Sequence, residues 1–213
     1  MTNKFTLTVQ GLDYNINGRN LLKQLSFDLP ANSSSLILGS SGSGKTTLLS
    51  ILGGLQRPDA GEVMYGDTSL YNLSESARDK FRGLNIAILF QRFHLLKAFS
   101  VQQNILMASF MSGQKADMQH INSILERLQL ADKLHQRATD LSVGEAQRLA
   151  LARAIAVKPK WLLCDEPTSS LDDNNTEIML SLLEQEAKKL NISLIIVTHD
   201  ARVKKTLKIS LFF

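Results

Sequence analysis

Residues 39–46 form a glycine-rich segment whose residue types suit the binding of phosphate. They read Gly39, Ser40, Ser41, Gly42, Ser43, Gly44, Lys45 and Thr46, which matches the pattern G-x-x-x-x-G-K-[ST]. Glycines let the backbone curl so that several N–H groups point at one anion, and a helix that begins near Lys45 adds the positive end of its dipole. The alternative is a simple Gly/Ser turn. We expect a phosphate site in which Lys45 contacts the phosphates and the Thr46 hydroxyl ligates Mg²⁺.

Two adjacent carboxylates, Asp165 and Glu166, follow the apolar run Trp161–Cys164. In open α/β sheets, ligands bind where the strands end. Adjacent residues at a strand end point in different directions, so Asp165 is suited to bind magnesium and Glu166 to accept a proton from an attacking water. The alternative is that both are solvated turn residues before Pro167. The phosphate segment favours the first interpretation.

Two apolar patterns indicate the elements that position these residues. Phe5–Val9, Leu21–Leu29 and Gly61–Tyr65 alternate apolar and polar residues, which is typical of antiparallel strands with one solvated face. Continuous apolar runs, typical of parallel strands buried on both faces, occur at Leu36–Leu38, Ile86–Phe90, Trp161–Cys164 and Leu194–Val197. The sequence therefore predicts an α/β protein with a parallel core sheet and a smaller antiparallel sheet.

The stretch from about residue 99 to residue 140 shows no strand pattern. Its segment Met118–Leu130 carries apolar residues at helical spacing, namely Ile121, Ile124, Leu125 and Leu128. We expect a helical subdomain inserted into a single domain, with residues 1–98 and 141–213 forming the core. A final strand is predicted at the chain end, where Leu207, Ile209, Leu211 and Phe213 alternate with Lys208, Ser210 and Phe212.

Composition and charge restrict the class of protein. The chain has 213 residues, a net charge of +4 and 44% hydrophobic residues, which is typical of a globular protein and excludes a disordered one. The single cysteine, Cys164, excludes an internal disulfide. The first residues lack the pattern of a signal peptide, and no eighteen consecutive apolar residues occur. We expect a soluble protein that reaches a membrane only through a partner.

A further segment, Leu141–Arg148, resembles the signature sequence of ABC transporter ATPases. It lies before the carboxylates and reads Leu-Ser-Val-Gly-Glu-Ala-Gln-Arg, with Val143 in place of the family's usual first glycine. The remaining motifs stand in the family's order: Gln91 after a strand, Ser170-Leu171-Asp172 after the carboxylates, and His199 after Leu194–Val197. The resemblance implies a P-loop NTPase, RecA-like fold. The run Phe90–Leu96, together with Gly-Glu rather than Gly-Gln in the signature, is most similar to the subfamily that drives lipoprotein release, macrolide export and a cell-division complex.

The resemblance implies a nucleotide site shared between two subunits. A head-to-tail homodimer would form on ATP binding, with the signature of one subunit contacting the γ-phosphate held by Lys45 of the other. The implied nucleotide-binding residues are Tyr14, Gly39, Ser40, Ser41, Gly42, Ser43, Gly44, Lys45, Thr46, Thr47, Ser142, Gly144 and Glu145. The alternative for the signature is a helix N-cap serine with a nearby glycine.

Three further residues receive roles from the resemblance. Gln91 would ligate magnesium or the attacking water, and together with Thr46 and Asp165 it completes the implied metal site; considered in isolation, this glutamine would be a surface residue. His199 would hold the γ-phosphate and order Glu166 with the water, although a lone histidine is more often structural. Tyr14 would stack on adenine, or else pack in the antiparallel sheet.

The implied function is ATP hydrolysis, with ATP and Mg²⁺ as cofactors, coupled to a separate membrane permease at the cytoplasmic face of the inner membrane. The cargo would be lipoproteins, peptides or hydrophobic compounds. Four apolar residues either line the groove that receives the permease or form the helical subdomain's own core: Phe93, Leu95, Leu96 and Phe99.

Two other functions remain alternatives. One is a soluble ABC ATPase acting on nucleic acid or the ribosome, supported only by the basic cluster Arg202, Lys204, Lys205 and Lys208. The other is an inactive module that binds ATP without turnover. The presence of both Glu166 and His199 favours an active enzyme, and nucleic acid is not the expected partner.

Overall fold

A computed structural model describes residues 5–169, 171–200, 202–203 and 209–212, the last range by its backbone and the Leu211 side chain. Its strands are β1 (Leu7–Ile16), β2 (Arg19–Leu29), β3 (Ser34–Leu38), β4 (Ala60–Tyr65), β5 (Thr68–Ser69), β6 (Ile86–Leu89), β7 (Trp161–Asp165), β8 (Ser193–Thr198) and β9 (Ile209–Phe212). Its α-helices are α1 (Lys45–Leu52), α2 (Glu75–Asn85), α3 (Val101–Met111), α4 (Met118–Arg127), α5 (Val143–Ile155) and α6 (Asp173–Leu190). These elements form the predicted α/β fold.

The antiparallel sheet has the strand order β2-β1-β4-β5. The prediction that its first strand ends at Val9 was wrong, because β1 continues to Ile16. Gly11 has φ 55°, and the register of β1 against β2 shifts between Val9 and Leu12. A bulge of this kind adds a residue and breaks the two-residue alternation, which is why the sequence pattern stopped there.

The second sheet is parallel, with the strand order β6-β7-β8-β3-β9. All four continuous apolar runs form strands of this sheet, as predicted, except that Phe90 follows the end of β6. The expected final strand is confirmed for Ile209–Phe212, which pairs with β3, and Leu211 packs on the core. The tail residues Leu207, Lys208 and Phe213 lie outside the described residues.

Both faces of the parallel sheet are buried. On β7, Trp161 and Leu163 belong to the core cluster shared with the antiparallel sheet, while Leu162 and Cys164 belong to the cluster shared with the helices. Successive side chains of a strand point to opposite faces, so a run without polar residues indicates helices or a sheet on each side. This packing holds the carboxyl ends of β3, β7 and β8 together at one edge.

The stretch 99–140 is helical, as predicted, and contains α3, α4 and short 3-10 helices at Ala131–Lys133 and Ala138–Asp140. Asp117 caps α4 by accepting a hydrogen bond from His120 N, and a buried face of α4 joins the core. The helix ends at Arg127, three residues before the predicted end at Leu130. Helix ends fray, so sequence patterns locate them poorly.

Candidate active site

Three parallel strands deliver the main candidate residues to one cavity. Gly39 follows β3, Glu166 follows β7 and His199 follows β8. A cavity of about 280 Å³ at this edge is lined by Leu21, Ser41, Gly42, Gly44, Lys45, Thr46, Thr47, Gln91, Glu166 and His199. Residues predicted from four separated segments are therefore brought together by the ends of neighbouring strands.

The glycine-rich segment curls around the start of α1. Gly42 and Gly44 have φ of 76° and 101°, which favours glycine at both positions. A Cβ at Gly44 would lie 3.0 Å from Leu21 Cγ and 3.1 Å from Leu22 Cδ2, so the loop packs directly on β2. Within the described part of the chain, no side chain caps α1 and no acidic residue lies in its first turn. The N–H groups of this helix start are available to an anion.

Lys45 is buried beneath the loop, with 5% of its surface exposed. Its Nζ donates to the carbonyl oxygens of Gly39 at 2.9 Å and Ser40 at 2.8 Å. The same Nζ lies 3.6 Å from Glu166 Oε1, so the ammonium has one carboxylate partner in the cavity. Lys45 thus places a positive charge beside the glycine-rich segment.

Thr46 and Asp165 form a direct contact between the phosphate segment and β7. The Thr46 hydroxyl donates to Asp165 Oδ1 at 3.1 Å. Burial raises the pKa of the Asp165 carboxyl, the hydrogen bond from Thr46 acts against this rise, and the Glu166 charge adds to it. A cation at this position would relieve the repulsion between the two carboxylates.

Glu166 is held by the residues at the end of β8. Its Oε2 accepts from Thr198 Oγ1 at 2.7 Å, and its Oε1 accepts from the His199 N–H at 3.0 Å. His199 Nδ1 lies 2.8 Å from Oε1, while the His199 side chain is 53% exposed. Glu166 has φ 48°, a left-handed conformation that is uncommon for glutamate and concentrates at functional sites.

Gln91 lies on the cavity wall and contacts the segment after the carboxylates. Its Nε2 donates to Ser169 Oγ at 3.1 Å. Ser170 lies outside the described residues. Asp172 caps α6 by accepting from the Asn175 N–H at 2.8 Å. Ser169 is a neighbour of Gln91 that the sequence did not single out.

The signature residues form the start of α5. Ser142 Oγ accepts from the Glu145 N–H, and the Glu145 carboxylate accepts from the Ser142 N–H at 2.8 Å, which makes a capping box. Bonds from Ser142 and the neighbouring Lys133, 3.1 Å away, lower the pKa of Glu145 to about 2. The described lining of the cavity does not include Ser142, Gly144 or Glu145. Their contact with a nucleotide in a second subunit stays a prediction.

Tyr14 is not among the described lining residues either. Its hydroxyl hydrogen-bonds Gln56, and its ring packs against the core cluster of the antiparallel sheet, in register with Leu22. This contact corresponds to the alternative stated for Tyr14 in the sequence analysis, packing in the antiparallel sheet. Leu21, which the sequence analysis did not select, lies on the cavity wall instead. Adenine stacking on Tyr14 stays a prediction.

The four apolar residues after Gln91 differ in burial, and a contact of any of them with a permease stays a prediction. Phe93 and Leu95 pack against the core, whereas Leu96 is 39% exposed and Phe99 is partly buried. Arg153 of α5 donates to the main-chain carbonyls of Phe93 and of the next residue, both at 2.7 Å. The signature helix therefore holds this segment through its backbone.

The basic cluster near the chain end is partly neutralised. Arg202 pairs with Asp200 at 2.7 Å and with Asp173 at 2.5 Å. Lys204, Lys205 and Lys208 lie outside the described residues. Arg202 is thus committed to carboxylates of its own chain and offers little to a nucleic acid phosphate.

Comparisons with known proteins agree with the predicted family. The ABC transporter family model matches residues 22–169. The lipoprotein-releasing system ATP-binding protein LolD of Buchnera aphidicola subsp. Acyrthosiphon pisum is 36% identical over 191 residues, which cover 89% of this chain and 84% of that protein. LolD of Saccharophagus degradans is 38% identical over 173 residues, 80% of this chain and 76% of that protein.

A solved dimeric ATP-binding cassette, MJ0796, in a post-hydrolysis state with ADP and Pi, has a similar structure. The TM-score is 0.81 at 27% identity, over 92% of this chain and 89% of that chain. Among the described residues, no helix has the length and apolar character needed to cross a bilayer. The family match, the relatives and the P-loop NTPase fold together show that the chain belongs to the ABC transporter family, as an ATP-hydrolysing cassette.

Proposed function

We propose that this chain is the ATP-hydrolysing subunit of a lipoprotein-releasing transporter and drives a separate membrane permease. The observation that carries the hydrolytic assignment is the single cavity in which the helix start at Lys45, the Glu166 carboxylate and His199 meet. The names of the two LolD relatives support the cargo class. The permease would hold the chain at the cytoplasmic face of the inner membrane.

The phosphate segment accounts for the binding of ATP. The free N–H groups at the start of α1 and the Lys45 ammonium would surround the β and γ phosphates. To reach the phosphates, Lys45 Nζ exchanges the carbonyl oxygens of Gly39 and Ser40 for phosphate oxygens. Leu21 forms an apolar part of the same cavity wall.

The donor set near the phosphates fits Mg²⁺. Thr46 and Asp165 would hold the ion, because a hydroxyl and a carboxylate are hard oxygen donors and Mg²⁺ otherwise keeps waters and substrate phosphates as ligands. Gln91 would contribute an amide oxygen from the cavity wall. The described residues contain no group of three or more His, Cys, Asp or Glu suited to a metal. When bound, Mg²⁺ would neutralise negative charge on the phosphates.

Glu166 would accept the proton of the attacking water. Its Oε1 faces the cavity together with His199 and Lys45, while Oε2 is bound to the protein interior. His199 lines the cavity and is half exposed, so the ring edge that is not bonded to Glu166 would contact the γ-phosphate. Gln91 would orient the water, since its amide side chain is exposed at the same wall.

The signature would complete the site in a second subunit. The start of α5 is a helix N-terminus at which Ser142 is exposed and Glu145 is partly buried, and neither is among the described residues that line the chain's own cavity. Exposed residues at a helix start suit a phosphate brought by another subunit. We infer a head-to-tail homodimer with ATP between Lys45 of one subunit and Ser142 of the other. The helical stretch 99–140 would move with α5 as part of one domain and act on the permease.

The variant Glu166→Gln tests the catalytic assignment. The amide keeps the shape of the carboxylate and loses the proton acceptor, so hydrolysis should slow strongly while ATP binding remains. Dimers loaded with ATP should accumulate and be detected by size-exclusion chromatography. The matched control is Glu177→Gln on the exposed side of α6, which should hydrolyse ATP at the parent rate. Parent-rate hydrolysis by Glu166→Gln would reject Glu166 as the base.

Purification of the tagged chain from detergent-solubilised membranes tests the transport assignment. A permease should co-purify and be identified by mass. The recovery of nucleic acid or ribosomal proteins in place of a membrane protein would favour the soluble alternative.

A further inference from the structure

A buried threonine at the end of β8 contacts the carboxylate of Glu166. Thr198 is fully buried, and its Oγ1 lies 2.7 Å from Glu166 Oε2. The two meet because β7 and β8 are neighbouring parallel strands, with Asp165 opposite Val197 in the register. Glu166 directly follows Asp165 and Thr198 directly follows Val197, so Glu166 and Thr198 lie side by side at the ends of the two strands.

The Thr198 hydroxyl is the donor in this hydrogen bond, because an ionised carboxylate can only accept. The Asp200 N–H donates to Thr198 Oγ1 at 3.0 Å, which uses the hydroxyl as an acceptor. A hydroxyl has one proton to donate. That proton is directed to Glu166 Oε2, so Thr198 stabilises the carboxylate in one orientation.

The two carboxylate oxygens of Glu166 consequently have different surroundings. Oε2 accepts from a fully buried hydroxyl, whereas Oε1 lies near two groups that line the cavity, His199 Nδ1 at 2.8 Å and Lys45 Nζ at 3.6 Å. The His199 main-chain N–H lies within hydrogen-bond distance of both oxygens, 3.0 Å from Oε1 and 3.3 Å from Oε2, so the Thr198 hydroxyl is the contact made by Oε2 alone. A glutamate side chain has three rotatable bonds, and this anchor restricts them. The oxygen left facing the cavity is the one available to a water.

The turn that orients the Thr198 hydroxyl is itself anchored. The Asp200 carboxylate accepts from Thr168 Oγ1 at 3.0 Å and from Arg202 Nη2 at 2.7 Å. Bonds to Arg202 are the main reason that the pKa of Asp200 is lowered to about 2. Arg202 also reaches Asp173 at the start of α6. The orientation of Thr198 is therefore supported from two further elements.

We propose that Thr198 is a positioning residue for ATP hydrolysis: its hydroxyl holds Glu166 Oε2 so that Oε1 faces the attacking water. This role rests on the proposed function of Glu166 as the base. Thr198 has no place in binding the nucleotide, because it is buried behind Glu166 and is not among the described cavity residues. Its loss should lower kcat and leave KM for ATP unchanged.

The variants Thr198→Val and Thr198→Ser separate the hydroxyl from the packing of the side chain. Valine keeps the shape and removes the donor, so kcat should fall about 10- to 100-fold, the range expected when a catalytic group is misplaced. KM for ATP should change less than about twofold, because the contacts that bind ATP before the reaction do not involve the Thr198 hydroxyl. Serine keeps the donor and should restore most of kcat. If valine is not tolerated, Thr198→Ala removes the same hydroxyl with less steric demand.

Thr176→Val is the matched control for a buried threonine. The Thr176 hydroxyl is buried on α6 and has no hydrogen-bond partner among the described residues. An apolar replacement should therefore leave both kcat and thermal stability at or above the parent values. Melting temperatures of all variants are measured so that rates are compared on folded protein.

The Glu166→Gln background distinguishes the two proposals. If Thr198 acts through Glu166, adding Thr198→Val to Glu166→Gln should cause no further loss of kcat. A parent-level kcat for Thr198→Val, an equal loss for Thr198→Ser, or the same additional loss in the Glu166→Gln background would overturn the positioning role. Parent-rate hydrolysis by Glu166→Gln alone would instead reject the function on which it rests.

Discussion

A buried ion pair ties the helical stretch to the core, and its removal should destabilise the protein measurably. Arg127 of α4 donates to both carboxylate oxygens of Glu186 on α6, through Nε at 2.7 Å and Nη2 at 2.6 Å. Glu186 is 3% exposed. Arg127→Met would leave this carboxylate buried without its cation.

The size of the effect follows from the burial of the two partners. Removing one partner of a buried pair costs about 3–5 kcal/mol. The Arg127 side chain is 20% exposed, so water can partly replace the guanidinium beside Glu186 in the variant. The lower end of that energy range therefore applies. A loss of about 3 kcal/mol in a chain of this size lowers Tm by roughly 6–12 °C. Differential scanning calorimetry, without nucleotide, measures the shift.

Two further variants make the test specific. Lys158→Met breaks the exposed pair with Asp117, whose partners are 55% and 46% exposed, so solvent screening should leave Tm nearly unchanged. Combining Arg127→Met with Glu186→Leu removes both charges and should recover most of the lost stability. A Tm within 2 °C of the parent for Arg127→Met, which by the same conversion is less than about 1 kcal/mol, would refute the reasoning. So would a double variant that melts below the single one.

Three other outcomes are expected. Lys45→Ala should abolish ATP binding in a nucleotide titration, because the lost cation faces the phosphates, and unchanged affinity would count against the phosphate site. Mixing Lys45→Ala chains with Ser142→Arg chains should restore partial ATP hydrolysis, since each mixed dimer joins one intact phosphate segment to one intact signature. Zero activity in preparations shown to contain mixed dimers would contradict sites that are shared between subunits and act singly. The Asp200 carboxylate should stabilise the fold at every pH above 3.8, its ordinary pKa, and this contribution should disappear as the pH falls through about 2. The urea midpoints of the parent and of Asp200→Asn should therefore converge only in that acid range.

Local chemistry was readable from the sequence because it depends on short segments. The curl of residues 39–46 follows from glycines at closely spaced positions, Gly42 and Gly44 among them, and the helix start at Ser142 follows from a capping serine with Glu145 three residues later. Buried parallel strands were identified because both of their faces are apolar. These features require no knowledge of distant residues.

Some elements were missed for identifiable reasons. None of the eleven described residues of α2 is fully buried, and its apolar stripe is short, with Phe81 packed against Tyr65 and Leu84 39% exposed, so its periodicity gives a weak signal. Helix α6 was not predicted either, although the sequence contains its helical spacing of buried residues: Met179, Leu180, Leu183 and Ala187. The end of β1 was misplaced because the bulge near Gly11 interrupts the alternation.

Only the tertiary structure decided which residues share the cavity and which support it. Leu21 reaches the cavity wall because the loop at Gly44 packs on β2, and Tyr14 is turned to Gln56 by the same sheet. Thr198 meets Glu166 across 32 positions of sequence, and Arg127 meets Glu186 across 59. Such contacts depend on the order and register of strands and helices, which hydrophobic periodicity does not encode because it reports only which face of an element is buried.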